Sequence, residues 1–284
     1  MPAYPVLNRN RQAPSLACEP FMNFRYWFGA ACTVPFMPIL YLQAKRVRAT
    51  VPQLGDAMGA EGRCGDEHDS PFRIAFVGES TMAGIGAKTH DEAFAGSFAR
   101  EVANRTQRRV HWEVVARSGF STDRVTRTLV PRLPSAVDLI VAGVGGNDAF
   151  ELRSPRRFRA DVIRLIQTLR ERHGETPVFF LSMPPIREFP AFTRLMRTTL
   201  GGLVELLGDE LRDSVKDEPS VVFDHRRNTL ARWTKDYLPD ARPENFFSDG
   251  VHPSLITYQT WAKASADWLL SQPIFTEKLQ SSNV

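Results

Sequence analysis

Four short groups of residues carry types and spacings suited to attack by a hydroxyl on a polarised carbon. The first is Ile74-Ala75-Phe76-Val77-Gly78-Glu79-Ser80-Thr81, an apolar run that ends in a glycine and then a serine. Gly78 permits a tight turn there, Ser80 brings a hydroxyl, and the residues that follow can aim backbone N–H groups at a developing negative charge. Val115-Ala116-Arg117-Ser118-Gly119-Phe120-Ser121-Thr122 delivers a second glycine, Gly119, after another apolar run. The third group, Gly143-Val144-Gly145-Gly146-Asn147-Asp148, sets two adjacent glycines beside an amide. Gly145 and Gly146 let a ligand approach the backbone closely, and Asn147 can donate to an oxyanion without changing charge. The last is Ser248-Asp249-Gly250-Val251-His252-Pro253-Ser254. Asp249 can fold back to accept the Nδ1–H of His252, which leaves Nε2 free to take a proton from a serine. Each group alone also has an ordinary structural meaning: Ser80 as a turn or helix cap, Ser121 or Thr122 as a cap, and Asp249 as the capping residue of a surface turn.

The chemistry requires elements that bring these groups to one place. Short runs rich in Val, Ile and Phe read as strands over 74–77, 110–115, 137–142, 177–181 and 221–223. Between them 92–104, 122–133, 156–172 and 191–215 read as helices, the third capped by Ser154-Pro155 with Phe158, Val162, Leu165, Ile166 and Leu169 on one face. A further helix follows His252 through Leu270, with Pro253 in its first turn and Tyr258, Trp261, Ala262 and Leu269 toward the core. Alternation of β and α elements implies an α/β fold with a parallel sheet covered on both faces, in which ligands bind beyond the carboxyl ends of the strands. The first three groups fall at those ends.

Taken in order, Gly78-Glu79-Ser80-Thr81, Gly119, Gly145-Gly146-Asn147-Asp148 and Asp249-Gly250-Val251-His252 resemble the four sequence blocks of the SGNH hydrolases, the GDSL-like esterases and lipases. The resemblance covers about Phe72 to Leu270. It implies a three-layer α/β/α sandwich with a central, mostly parallel, flavodoxin-like sheet. It further implies that Ser80 attacks an acyl carbon, that His252 is its base and then acid, and that Asp249 orients His252. The N–H groups of Ser80 and Gly119 and the Asn147 amide would form the oxyanion hole, with no metal or organic cofactor. The chain departs from the family pattern at Glu79, usually Asp, and at Thr81, where GDSL members have Leu; no Asn precedes Gly119. After the fourth strand, Met183-Pro184-Pro185-Ile186-Arg187-Glu188-Phe189-Pro190 forms a stiff apolar loop at the same edge. Met183 and Pro184, with Gly145 and Gly146, are expected to contact substrate, against the plainer reading that the loop packs over the sheet.

The other histidines are weaker bases. His68 sits in a glycine-rich stretch, His90 and His111 flank predicted elements, and His173 closes a helix beside Gly174, where it faces the dipole end. His225, after Asp224 at a strand exit, is the rival base, but it lacks a small-residue setting.

Composition bounds the rest. The 284 residues, 43% hydrophobic and 24% charged, fit a folded α/β domain with an N-terminal appendage. A net charge of +4 is spread over 36 basic and 32 acidic residues without a basic stripe, so nucleic acid is not an expected partner. Cys18, Cys32 and Cys64 are odd in number and widely spaced, which suggests neither a disulfide framework nor a zinc site and fits a reducing compartment. Residues 1–20 read as a flexible leader. Tyr26 to Leu42 is apolar and uncharged, bounded by Arg25 and by Lys45, Arg46 and Arg48, and interrupted by Pro35 and Pro38. Its length lies at the lower limit of the about 17 to 25 residues that cross a bilayer. It reads either as a membrane contact on the inner, cytoplasmic face or as an apolar arm packed on the main body. Residues 55–70, with four glycines, read as a linker, which divides the chain into an N-terminal segment, 1–70, and a hydrolase domain, 71–284.

The leading expectation is therefore hydrolysis of a carboxylic ester, acyl or lipid-like, through an acyl-serine intermediate. Acyl transfer to an alcohol at the same site, and a non-catalytic, membrane-tethered lipid- or glycan-binding module, are the rivals.

Overall fold

The computed structural model describes residues 24–65 and 71–275. The expected leader, Cys18 and His68 lie outside these residues.

Two helices, α1 (Phe24–Thr33) and α2 (Met37–Thr50), are joined by a single 3-10 turn at Val34–Phe36. They precede a six-stranded sheet of order β1-β3-β2-β4-β5-β6. Its strands are β1 (Glu61–Cys64), β2 (Phe72–Gly78), β3 (Val110–Ala116), β4 (Leu139–Gly143), β5 (Val178–Phe180) and β6 (Val221–Phe223). Strands β2 to β6 are parallel, and β1 runs antiparallel along β3. Part of the stretch expected to be a linker is thus a strand. Its sequence, Glu-Gly-Arg-Cys, offers no apolar alternation, because an edge strand needs only ladder bonds and one close contact: a Cβ on Gly62 would lie 2.3 Å from the Trp112 ring. The other five strands fall where the apolar runs place them.

Helices α3 (Phe94–Thr106), α4 (Thr122–Arg124), α5 (Gly146–Phe150), α6 (Pro155–His173), α7 (Arg194–Val215), α8 (Leu230–Asp236) and α9 (Leu255–Leu270) complete the body. α3 packs with α9 on one face of the sheet, and α6 packs with α7 and α4 on the other. The first layer is aromatic: Phe98 meets Phe76 and Phe179 with ring centroids 5.8 and 6.1 Å apart, and Phe94 meets Trp261 at 5.9 Å. The second is aliphatic, with Phe158, Val162 and Leu165 of α6 wholly buried. The expected three-layer sandwich is present.

Three boundaries differ from expectation for identifiable reasons. The helix expected from Ala191 begins at Arg194 because the Thr193 hydroxyl caps it, accepting from Met196 N at 3.2 Å. The helix expected over 122–133 is one short α-turn that widens to a π-turn at Val125–Leu129 and tightens to a 3-10 turn before Leu133. The last helix starts at Leu255, capped by Ser254, so Pro253 lies outside it and instead bridges to Phe247. Ser154 caps α6 as expected.

Candidate active site

Strand order sets the position of the site. The chain steps from β2 to β3 in one direction and from β3 past β2 to β4 in the other, so the loops leaving β2 and β4 diverge and open a crevice beyond their carboxyl ends. Gly78 and Gly143 are register partners at this edge. Gly78 has φ 153°, and a Cβ on it would stand 2.1 Å from the Gly143 carbonyl oxygen, so only glycine lets the two strands close here and turn the chain toward Ser80.

Glu79 fastens the two loops together. Its buried carboxylate accepts from Gly146 N and from Asn147 N, each at 2.7 Å. Burial pushes this carboxyl up to about 8, against the pull of those two N–H groups and in concert with the nearby Asp148 charge. Asp148, also buried, reaches the opposite way: Oδ2 accepts from the N–H and hydroxyl of Thr122 at 2.9 and 2.7 Å. Burial raises Asp148 as well, while both Thr122 donations hold it down. Thr122 therefore anchors the 117–122 loop by donating to Asp148, rather than acting as a side-chain helix cap. The Asn147 side-chain amide spends one N–H on Phe120 O at 3.2 Å, which fixes its plane. Among the described residues, the backbone N–H groups of Ser80 and Gly119 have no protein acceptor.

Histidine arrives from the far end of the chain. Asp249 Oδ1 accepts from Val251 N and His252 N at 2.9 and 2.7 Å, and Oδ2 lies 2.7 Å from His252 Nδ1. Burial acts to raise Asp249, but the hydrogen bonds and charge of His252 outweigh it and hold the carboxyl below its usual range. The Asp249 side chain is fully covered, whereas that of His252 is 23% exposed toward the cavity. The loop is closed on itself by Ser248 N, which donates to His252 O at 2.9 Å, and tied outward by Ala191 N, which donates to Gly250 O at 3.1 Å; Tyr258 OH fixes the α9 helix that follows by donating to Ile85 O at 2.8 Å.

Ser80, Gly119, Gly146, Asn147, Pro184 and His252 line one cavity of about 180 Å³. Asp249 stands behind His252 and does not line it. No hydrogen bond joins Ser80 to His252 among the described residues, though both line this cavity. Two expected contact residues sit elsewhere. The Met183 side chain packs under Gly145, where a Cβ would meet its methyl carbon at 2.5 Å, so both turn away from the cavity. Met183 instead lines a second cavity of about 220 Å³, beside His225. His225 is thereby removed from the Ser80 site.

Sequence reading missed several contributors. Glu79 stands out in the sequence as a departure from the family pattern, and a carboxylate ending an apolar strand is itself a signal of a buried acceptor. Phe150, Phe189, Trp233 and Phe247 add apolar wall, and their convergence has no sequence periodicity to reveal it.

The fold agrees with comparisons to known proteins. Residues 76–260 match the GDSL-like lipase/acylhydrolase family, and the chain belongs to it. Similar solved structures include TesA (17% identity, TM-score 0.52, covering 70% of this chain and 98% of that one) and a member of the lipolytic G-D-S-L family from Veillonella parvula (14%, 0.52, 71% and 99%). The lipase Lip_vut3 from a goat rumen metagenome is also similar (19%, 0.50, 68% and 97%). At such identities these likenesses bear on the fold alone. No curated protein matches the chain in sequence. Membership of the family makes the protein a hydrolase of the GDSL/SGNH kind.

Proposed function

We propose that the protein hydrolyses carboxylic esters through an acyl-serine intermediate at Ser80. His252 Nε2 takes the Ser80 proton as Oγ attacks the acyl carbon. The oxyanion so formed accepts from the N–H groups of Ser80 and Gly119 and from the remaining Asn147 amide hydrogen. On collapse the C–O bond to the alcohol breaks, and His252 returns its proton to the leaving oxygen. His252 then deprotonates a water molecule that attacks the acyl carbon; the bond to Ser80 Oγ breaks as His252 passes the proton to that oxygen, which releases the carboxylic acid and restores both side chains. Asp249 keeps Nδ1 protonated and the ring oriented throughout. Pro184, Pro185, Phe189 and Phe247 give an apolar chamber suited to the acyl group.

One observation carries this reading: a buried aspartate holds His252 at 2.7 Å in the same cavity as Ser80 and two unpartnered backbone donors. Ser80→Ala should lower turnover of p-nitrophenyl butyrate by several orders of magnitude. Wild type should gain one adduct on Ser80 with a fluorophosphonate. An unlabelled Ser80, or wild-type turnover in the variant, ends the proposal.

A further inference from the structure

Helices α1 and α2 form a strap along α7. Arg25 pairs with Asp209 at 3.5 Å, and the Thr193 hydroxyl donates to Gln43 at 2.8 Å, so the strap runs antiparallel to α7 from its second half to its N-cap. The two spans match, about 27 Å for Arg25–Gln43 and about 24 Å for Thr193–Asp209 at helical rise. Tyr26, Ala30, Thr33, Leu40, Gln43, Ala44 and Val47 are the covered positions, spaced mostly by three and four residues so that one seam turns inward.

The outward face is the reverse of a soluble helix. Phe24, Trp27, Phe28, Val34, Tyr41 and Leu42 are each 60% or more exposed. Folded surfaces seldom leave a contiguous apolar band of this extent bare. No charge interrupts Tyr26 to Leu42, and Lys45, Arg46 and Arg48 follow it, all exposed. This pairing of apolar face with cationic flank is complementary to a bilayer that carries anionic headgroups.

We propose that the strap lies in the plane of an anionic lipid surface while remaining docked on α7, rather than crossing the bilayer. Length and composition alone would let Phe24–Thr50 span a membrane. Spanning, however, would pull Leu40 out of the core and separate Gln43 from Thr193. It would also carry the 3-10 turn at Val34–Phe36, with Pro35 and Pro38, into hydrocarbon, where freed backbone groups have no partner. At the interface, water and headgroups reach that turn. The strap's Gln43 end meets α7 two residues from Ala191, which holds the Gly250 loop, while Phe192 lies edge-on to Phe150 at the cavity wall with ring centroids 5.9 Å apart. Docking therefore holds the Phe150 side of the cavity close to the lipid-bound strap, and its use in turnover rests on the ester-hydrolase reading.

The test uses the full chain with vesicles of phosphatidylcholine, with and without phosphatidylglycerol. Wild type should float with the anionic vesicles. Trp27→Glu combined with Phe28→Glu should bind at least tenfold more weakly, yet turn over p-nitrophenyl butyrate in solution as wild type does. Replacing Lys45, Arg46 and Arg48 by Gln should erase the preference for phosphatidylglycerol. In a Cys32→Ser background, Gln43→Cys with Thr193→Cys can be oxidised to lock the strap onto α7, and the locked protein should float as well as its reduced form. Flotation of the reduced form alone would overturn the in-plane arrangement. So would undiminished binding by the Trp27/Phe28 variant, or a wild type that ignores vesicles and sediments as a dimer. Loss of soluble-ester turnover in every sample bears on Ser80 chemistry and leaves the vesicle result standing.

Discussion

At the scale of single residues, Glu79 and Asp249 are carboxylates with opposite fates. Glu79 is buried with both oxygens facing N–H groups, and its pKa near 8 lies above the 4.5 it has in the unfolded chain. Between those values the native state binds the extra proton, so stability from this group is present below about pH 4.5 and fades as pH rises through 8. Glu79→Gln cannot titrate. Wild-type Tm should therefore fall relative to that variant as pH goes from 5 to 8, measured by calorimetry. The ionised carboxylate accepts from both backbone donors, whereas the amide sets an NH₂ group against one of them, so above about pH 8 the Gly146–Asn147 turn loosens in this variant. A drop in kcat of about tenfold to a hundredfold is expected there, with a smaller change in KM, because the turn carries Asn147, the proposed oxyanion donor. Asp249 is proposed to act on turnover through His252. Asp249→Asn offers an amide where an acceptor is needed and should cost kcat roughly 10³- to 10⁴-fold, with the Tm profile showing that the fold persists. These roles differ in how legible they were. Asp249 and His252 are three residues apart and readable as a pair, whereas the partners of Glu79 are Gly146 and Asn147, more than sixty positions away.

At the scale of elements, the strands and the main helices could be read from apolar runs and caps, and their ends could not. Thr193 and Ser254 each set a helix start because the hydroxyl accepts from the N–H three residues on, in the otherwise unpaired first turn, a choice local propensity leaves open. β1 was hidden because its four residues are stabilised by pairing with β3 and not by burial of their own side chains. Two contacts between elements can be tested directly. Tyr258→Phe removes the bond from α9 to Ile85 O and strands a buried carbonyl, which should cost about 1–3 kcal/mol in denaturant unfolding. Gly78→Ala drives a methyl group into the Gly143 carbonyl, so the β2 and β4 exits must part; we expect loss of soluble protein or of turnover, read by expression and by p-nitrophenyl butyrate assay.

At the scale of the whole molecule, the strap and the segment after it are held differently. Removing residues 1–50 takes away only α1, α2 and what precedes them. Removing 1–70 also strips β1 and the bonds from Ala57 and Met58 to Ala83 and Lys88. The shorter deletion should keep soluble-ester turnover within about twofold, and the longer one should lower Tm by on the order of 5–10 °C, from a few ladder bonds at about 1 kcal/mol each. Pro184 and Pro185 border both the Ser80 cavity and its larger neighbour. A partition made of two rings with fixed φ cannot swing aside to admit a longer guest. The depth of the reaction chamber is thus a built dimension of the loop, and trimming Pro184 to Ala should join the two compartments and shift the enzyme toward longer chains in a graded series of esters.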